Sequence, residues 1–563
     1  MTSHPVASHQ TESLLVHADL EALQAIATPQ FQSSWRTLAD QCPWGTALQS
    51  PEFVCTWYEC YGDLYRPLVL ARFGSGGAMT GLIALAVERS SGKLTFAGAH
   101  QSEYNVWLAP PGEQTFITEC LGRLQQLGFE SLTFTYLPLG SPLEWLDGPW
   151  SDKSSLRPVQ RPLLTVDPID AVRESVGKKK NRRRFEKLQE SGPLTFLQLE
   201  SLEELDRYYD DIIDFYDFRI GAVHGTCPFR DDSRKRPFYH ALMAKGLLHI
   251  TVTKVGETVV ASHIGMRNKR EVVLGIVGHS PFQAIHSPGK LHILQLGLLM
   301  HEQGFASLDL TPGGDSYKED RATRYDEAYE LTVYLNPKTG GRQQITRSLA
   351  KTAAHALKLD KEQASRLRSL ADDPMRAVGV FAKWTSSSAE TRIYAITTEV
   401  IQDPGDRKTR RDCLRDLLAY RAKEAGSQLR QEFLKNSLAA IESGAHFYSV
   451  VSDQNLLLCA ELGAPGKNLS SKLQYDYAFE PQSAVISELY LDPDFHDVQA
   501  ASAALREIAS DAQRTTGSAV VYVIADAADE FARQVIEHSG FDYRDSLVQT
   551  VKFGATQTTL MKR

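Results

Sequence analysis

Residues 248–310 hold the pattern that most constrains the fold. Three apolar, strand-length runs (Leu248–Lys254, Thr258–Met266, Val272–Val277) lead to His286-Ser287-Pro288-Gly289-Lys290. An apolar helical segment, Leu291–Gln303, and a short strand, Ala306–Leu310, follow. A meander that turns into a helix and returns as a strand aims backbone N–H groups at whatever lies above the turn. The first-turn N–H groups of a helix have no internal partner, and the helix dipole is positive there. Pro288 suits the first helical position and Gly289 permits close approach to the backbone. Lys290 is a cation at the end of a helix where only an anion would welcome it. The same five residues also suit an ordinary strand-to-helix turn.

The order recurs on both sides of this stretch. After a polar lead-in over residues 1–30, Phe31–Cys42 and Ser50–Gly62 read as helices whose aromatics suit a core. Strands follow at Pro67–Phe73, Met79–Glu88 and Lys93–Gly98. Pro110-Pro111-Gly112 then opens a helix, Glu113–Leu127, and a strand, Ser131–Tyr136. Residues 148–168, proline-bearing and charged, read as a crossover between domains. Ser201–Arg219 and Pro237–Lys245 are expected helices, and Tyr329–Leu335 a closing strand. Gly340–Asp373 reads as a helical connector. Beyond it, helices are expected at Thr409–Ala425 and Leu429–Glu442, with strands at His446–Ser452, Leu456–Gly463, Leu473–Phe479 and Val485–Leu491. The helix Val498–Thr515, the strand Ala519–Ala525, the helix Glu530–His538 and a last strand from Gly540-Phe541 through Lys552 complete a third pass. Supersecondary order repeated three times weighs more than any one motif. The expected fold class is α/β (α+β): repeated domains, each a mixed, mainly antiparallel sheet flanked by helices.

Composition narrows the function classes. A length of 563 residues sets a prior of about three to four domains. A formal net charge of -8 argues against the whole chain being a DNA binder. Yet Gly177–Lys187 carries Lys178, Lys179, Lys180, Arg182, Arg183, Arg184 and Lys187. Such a run is either a solvated helix face or the footprint of an anionic partner. No apolar run approaches the roughly 20 residues of a membrane span, and Met1–Glu12 has no apolar signal-like core. Cys42, Cys55, Cys60, Cys120, Cys227, Cys413 and Cys459 are scattered, with no Cys-x-x-Cys pair, which fits a reducing cytoplasm and no zinc site. No Gly-x-Ser-x-Gly elbow and no Gly-x-x-x-x-Gly-Lys-[Ser/Thr] loop occurs, so hydrolase and P-loop chemistry are not favoured. No metal-ligand spacing stands out, and no metal is expected.

Three antiparallel strands, a helix crossing to a further strand, then helix and strand is the order of the GNAT acyltransferase fold. Ser287-Pro288-Gly289, Asp309 and Gly313-Gly314-Asp315-Ser316-Tyr317-Lys318 make the resemblance specific, together with Trp35, Ser50-Pro51, the basic helix with Arg183, and Arg219. Over about residues 30–335 the chain resembles the CelD (BcsL) family of GNAT-type acyltransferases, related to the FemAB peptidyltransferases. The resemblance implies an N-terminal GNAT-like domain at 31–165 and a second at 166–338 with the acyl-CoA site. A linker at 339–375 would precede a further GNAT-like domain at 376–563. It also implies acyl-CoA (acetyl-CoA) as co-substrate, an amine or hydroxyl acceptor and cytoplasmic enzymes of bacterial cellulose or exopolysaccharide production. Polysaccharide-synthesis proteins are the partners it suggests. In the third unit the turn Leu491–Asp497 departs from the pattern: it has no glycine and carries Asp492, Asp494 and Asp497.

Acyl transfer from a thioester needs a held donor, a base for the nucleophile and an acid for the leaving thiolate. Ser287, Pro288, Gly289 and Lys290 are the expected cofactor-binding residues. Tyr317, placed where GNAT enzymes often carry a thiolate-protonating tyrosine, is the candidate acid. Asp309 and His263 are candidate bases. Asp309 also suits a carboxylate that fixes its loop, and His263 also suits a core histidine. Lys180, Arg182, Arg183, Arg219, Asp315 and Lys318 are the expected substrate-binding residues. Two other classes stay open: a Fem-like transferase using aminoacyl-tRNA, gripped by Lys178–Arg184, and a non-catalytic scaffold of a polysaccharide-synthase complex.

Overall fold

A computed structural model of the chain describes residues 13–313, 316–336, 386–397, 409–423, 428–463, 473, 475–552 and 555–562. The architecture is mixed α/β with mainly antiparallel sheets. The chain divides into two compact units. The first holds residues 1–212, 232–279 and 286–353; the second holds 213–231, 280–285 and 354–563. The expected connector Gly340–Asp373 lies outside the described residues.

The first unit begins with β1 (Leu14–Ala18), α1 (Asp19–Ile26), α2 (Pro29–Gln41), α3 (Pro51–Tyr61), β2 (Tyr65–Phe73), β3 (Met79–Glu88) and β4 (Leu94–Phe96). These four strands form one sheet in sequence order. Thr28 and Ser50 accept first-turn N–H groups and start α2 and α3, each with Pro at the first helical position. Fully buried Trp35, Phe53, Trp57 and Tyr61 are the core residues that the helical spacing predicts. Then come α4 (Thr115–Gln126), β5 (Ser131–Leu137), β6 (Ser154–Thr165), α5 (Asp170–Gly177), α6 (Lys179–Gln189), β7 (Leu194–Leu199), α7 (Leu202–His224) and α8 (Lys235–Ala244). The segment after them contains β8 (Leu248–Val255), β9 (Thr258–Asn268), β10 (Glu271–His279), α9 (Pro288–Glu302), β11 (Ser307–Asp309), α10 (Ser316–Glu319) and β12 (Arg324–Tyr334). The second sheet runs β5-β12-β6-β11-β10-β9-β8-β7.

Two differences from the sequence reading matter here. Residues 154–165, read as a crossover, are a strand inside this sheet. Its prolines hid it, because proline cannot donate to a ladder. Pro162 accepts from Leu310 N, so Pro158 and Pro162 face the side where short β11 stops and no donor is needed. The helix expected to end at Arg219 continues to His224, and Ile213–Asp231 belong to the second unit.

β10 and β11 pair in parallel only over Glu271–Val273 and Ser307–Asp309; β10 then runs on to His279 paired with β9 but not with β11. This divergence opens the sheet beside α9. The helix itself is apolar around most of its circumference, as a core helix must be. Ile293, Leu294, Leu296 and Met300 pack with Leu164, Val272, Leu308 and, from α5, Val172. On another side, Leu291 meets Leu188 of the basic helix α6, with Phe185 packed alongside. Burial of each such side chain is worth about 1.5–3 kcal/mol, enough to fix α9 and α6 against each other.

The second unit repeats the order. Its elements are β13 (Ser386–Thr397), β14 (Arg410–Arg411), α11 (Leu414–Leu417), α12 (Arg430–Glu442), β15 (His446–Ser452), β16 (Asn455–Gly463) and β17 (Ala484–Leu491). After these come α13 (Val498–Thr516), β18 (Val520–Asp526), α14 (Glu530–His538), β19 (Asp542–Lys552) and β20 (Ala555–Lys562). The sheet order is β14-β15-β16-β17-β18-β13-β19-β20, and β17 and β18 again pair in parallel over three residues, Ala484–Ile486 with Val521–Val523. In both eight-stranded sheets the strand that precedes the meander is inserted after the short parallel pair. Thr409–Ala425 is not one helix over its described part, since Leu414, Leu417, Leu418, Ala419 and Tyr420 are buried on every side. Leu473–Phe479 is not a strand among its described residues. Leu473, Tyr475, Tyr477 and Phe479 do alternate inward, but onto a sheet face beside Ile393, Val485 and Tyr522. Alternation reports burial, not pairing.

Candidate active site

The turn into α9 has the features of an anion site. Ser287 takes a left-handed conformation at φ 54° and gives no side-chain cap; only its carbonyl meets the first turn, accepting from Lys290 N at 3.0 Å. Pro288 occupies the first helical position. At Gly289 a Cβ would stand 3.0 Å from His279 Nδ1, so a side chain there would press on that ring. Lys290 meets like charge: burial first, then Arg184, Arg321 and Lys180, push its ammonium pKa below the usual lysine value, with Asp320 opposing. Lys180, Arg182, Arg183, Arg184 and Lys290 form no ion pair with any described residue. Arg182 and Arg183 are exposed on α6, whereas half-buried Arg184 turns toward Lys290. A cavity of about 230 Å³ opens beside this cluster. Leu164, Val172, Ile293 and Leu294 floor it, and Lys178, Lys290 and Arg321 stand at its wall.

A second cluster sits where β10 and β11 part. Asp309 is fully buried and accepts from Tyr104 Oη at 2.6 Å, Arg161 Nε at 3.0 Å and Thr311 N at 2.8 Å. Burial raises its pKa, while Arg161 and these hydrogen bonds hold it down. Arg161 also pairs with Glu271 and with Asp326. A carboxylate held by three donors fixes its loop. Lys318 Nζ donates to Thr311 Oγ1 at 3.0 Å and to the Thr311 and Pro312 carbonyls, which makes it the anchor of the loop. Glu103 borders the same loop, hydrogen-bonded to Thr311, and its pKa is raised to about 7, chiefly by burial and against the pull of Lys318.

His263 takes the core position that its sequence context also suits. It is fully buried, and neither ring nitrogen has a hydrogen-bond partner. Burial and then His249 and His292 keep its pKa well below the usual histidine value. His292 of α9 bonds Thr251 at 3.0 Å and Thr253 at 2.8 Å, so these histidines belong to the core between α9 and the sheet. Arg219 lies in the second unit, not in the unit that holds Ser287–Lys290. Asp315 and the side chain of Tyr317 lie outside the described residues. Sequence reasoning missed Glu103, Tyr104, Arg161 and Arg321. Arg161 was hidden in the proline-bearing stretch, and nothing local marks Glu103 or Tyr104. Among the described residues no group of His, Cys, Asp and Glu could hold a metal ion, and no helix is long and apolar enough to cross a membrane.

No curated protein sequence matches the chain. Among solved structures, FemX aligns at 10% identity over 54% of this chain and 94% of its own, with a TM-score of 0.38. A tandem GNAT protein from the clavulanic acid biosynthesis pathway aligns at 12% identity over 58% of this chain and 99% of its own, with a TM-score of 0.36. L-PGS from Bacillus licheniformis aligns at 14% identity over 57% of this chain and 96% of its own, with a TM-score of 0.35. The family described as an acetyltransferase (GNAT) domain matches residues 176–319. That span runs from the start of the basic helix through the meander and α9 to α10, and over it the chain is similar to GNAT acetyltransferase domains.

Proposed function

We propose that this protein is an acyl-CoA-dependent N- or O-acyltransferase. The observation that carries the proposal is the unpaired cationic cluster of Lys180, Arg184 and Lys290 around the uncapped, glycine-floored N-terminus of α9. Like charges gathered at the positive end of a helix are unfavourable until an anion neutralises them. Ser287, Pro288, Gly289 and Lys290 would hold the pyrophosphate, with Arg184 and Arg321 beside it. The parting of β10 and β11 leaves room for a narrow chain such as pantetheine. The thioester supplies an activated acyl group; the protein orients it, excludes water and handles protons. Tyr317 is the proposed acid for the leaving thiolate. Asp309, Arg161 and Lys318 are proposed to fix the loop that carries it.

The resemblance to the CelD family extends the proposal to a saccharide or amine acceptor in bacterial cellulose or exopolysaccharide production, in a reducing cytoplasmic setting. Seven unpaired cysteines support that setting. Exposed Arg182 and Arg183 favour one second reading, an aminoacyl-tRNA donor. Calorimetric titration with acetyl-CoA, run beside aminoacyl-tRNA, separates the two. The wild type should bind acetyl-CoA saturably. Gly289→Asp, which sets a carboxylate at the pyrophosphate position, should abolish binding while circular dichroism shows an intact fold. Equal acetyl-CoA affinity in the folded variant would remove this loop from the proposal, and tight binding of the tRNA alone would replace it.

A further inference from the structure

We infer that Glu103 is the general base that deprotonates the acceptor. The inference rests on the acyltransferase reading above and adds the residue and the acceptor chemistry. Glu103 lies outside residues 176–319, on the loop that follows β4, and it reaches the loop after β11 at the point where β10 and β11 part. Its Oε2 is buried and has no hydrogen-bond partner. A buried carboxylate oxygen without a donor is destabilising, so its retention calls for a role. The neighbouring carboxylate, Asp309, has a donor on each oxygen, from Tyr104, Arg161 and Thr311, whereas Glu103 Oε2 has none. Thr311, held at φ 61° in the left-handed region, fixes the site from the β11 side and is itself held by Lys318.

The charged and titratable groups that face Glu103 are Lys318, Asp309 with its partner Arg161, Tyr104 and Tyr136. Burial and Asp309 raise the carboxyl and Lys318 lowers it, to about 7 on balance. That is the range in which a base is charged at neutral pH and still basic enough to take a proton. An ammonium acceptor fits this oxygen best, because it brings both the missing donor and the missing positive charge. Glu103 takes one proton from the ammonium and frees the nitrogen lone pair. The nitrogen then bonds the acyl carbon as the C–S electron pair leaves with sulfur. The surplus proton on the new amide nitrogen ends on the thiolate, giving the free thiol, and Glu103 returns its own proton to solvent.

The test uses the full chain and Glu103→Gln, which keeps shape and removes the basic oxygen. Acetyl-CoA binding is read by calorimetry, thiol release with a panel of primary amines is followed from pH 5.5 to 9, and the carboxyl is followed by infrared difference spectroscopy against the variant. The expected result is unchanged acetyl-CoA affinity and melting temperature, with turnover lower by about 10²-fold or more. In the wild type the rate should rise with pH through a midpoint near that of the carboxyl band missing from the variant. Wild-type turnover and pH profile in Glu103→Gln would overturn the inference. So would a Glu103 carboxyl that is already fully ionised at pH 5.5, whether or not any amine reacts. Failure of the wild type to bind acetyl-CoA would instead strike the acyltransferase reading, and the infrared titration would still decide the protonation of Glu103.

Discussion

A lysine that gains nothing from its surroundings is informative about what is meant to join it. Lys290 is disfavoured as a cation by burial and by Arg184, Arg321 and Lys180, so its folded pKa lies below its unfolded one. Below both values it is charged in either state and costs the fold stability. As pH rises between the two, the native protein sheds the proton first and the cost is relieved. Lys290→Gln should therefore melt at a higher temperature than the wild type at pH 7 without ligand. The same change removes a charge-assisted contact to an anion and should weaken acetyl-CoA binding by about 10- to 100-fold. Thermal melts with and without ligand check both signs; a variant less stable than the wild type, with unchanged affinity, would make Lys290 a structural residue. The sequence makes Lys290 legible because the dipole argument is local. It could not show Arg321, or that Asp309 and His263 are enclosed, because burial and partners are set by strands far away in the chain. Tyr104 and Arg161 reach Asp309 across 205 and 148 positions of sequence, respectively.

At the level of elements, the basic helix is two-faced. Phe185 and Leu188 pack toward Leu291 of α9, and this fixes which cations look at the turn. Lys180 and Arg184 do; Arg182 and Arg183 point to solvent. Replacing Lys180 and Arg184 by Gln should weaken acetyl-CoA binding by roughly tenfold and flatten its dependence on salt, since two charge interactions are lost. Replacing Arg182 and Arg183 by Gln should leave acetyl-CoA affinity alone; a loss of activity in that pair would assign them to an anionic acceptor. Titrations at two ionic strengths separate these outcomes, and equal effects of the two pairs would contradict the packing of α6. Most elements were legible from periodicity: α2, α3, β8–β10, α9 and α13 stand within a few residues of their expected bounds. The failures have separate causes. β6 is largely exposed over its first half and its prolines mask its pairing, α11 is buried without a helical stripe, and residues 473–479 alternate inward without pairing, so pattern reports burial but not which backbone partner, if any, is taken.

Across the whole molecule, the two eight-stranded sheets share one strand order over seven of their strands, yet their turns differ in charge. In the first unit the turn into α9 presents glycine and lysine. In the second, the corresponding turn is already satisfied by its own groups. Asp497 caps α13 by accepting from Ala500 N at 2.9 Å, Asp494 N donates to Asp492 at 2.9 Å, and Lys423 bridges Asp492 and Asp494 at 2.7 and 2.6 Å. A pyrophosphate would have to displace these contacts and face the carboxylates, each costing roughly 4 kcal/mol at about 4 Å and an effective dielectric of 20. The second unit is also not a free-standing C-terminal piece. Its core takes Phe218, Ala222 and Cys227 alongside Leu414, Leu434 and Phe447, and Arg430 pairs with Asp231 at 2.7 Å. A fragment beginning near residue 376 lacks those residues and should melt without a cooperative transition, so the decisive titration belongs to the intact chain. Full-length protein should bind acetyl-CoA with a stoichiometry of one, and Gly289→Asp should leave none. Saturable micromolar binding that survives Gly289→Asp and disappears on changing the Asp492–Asp497 turn would place a second acyl-CoA site in the second unit and overturn this division of labour.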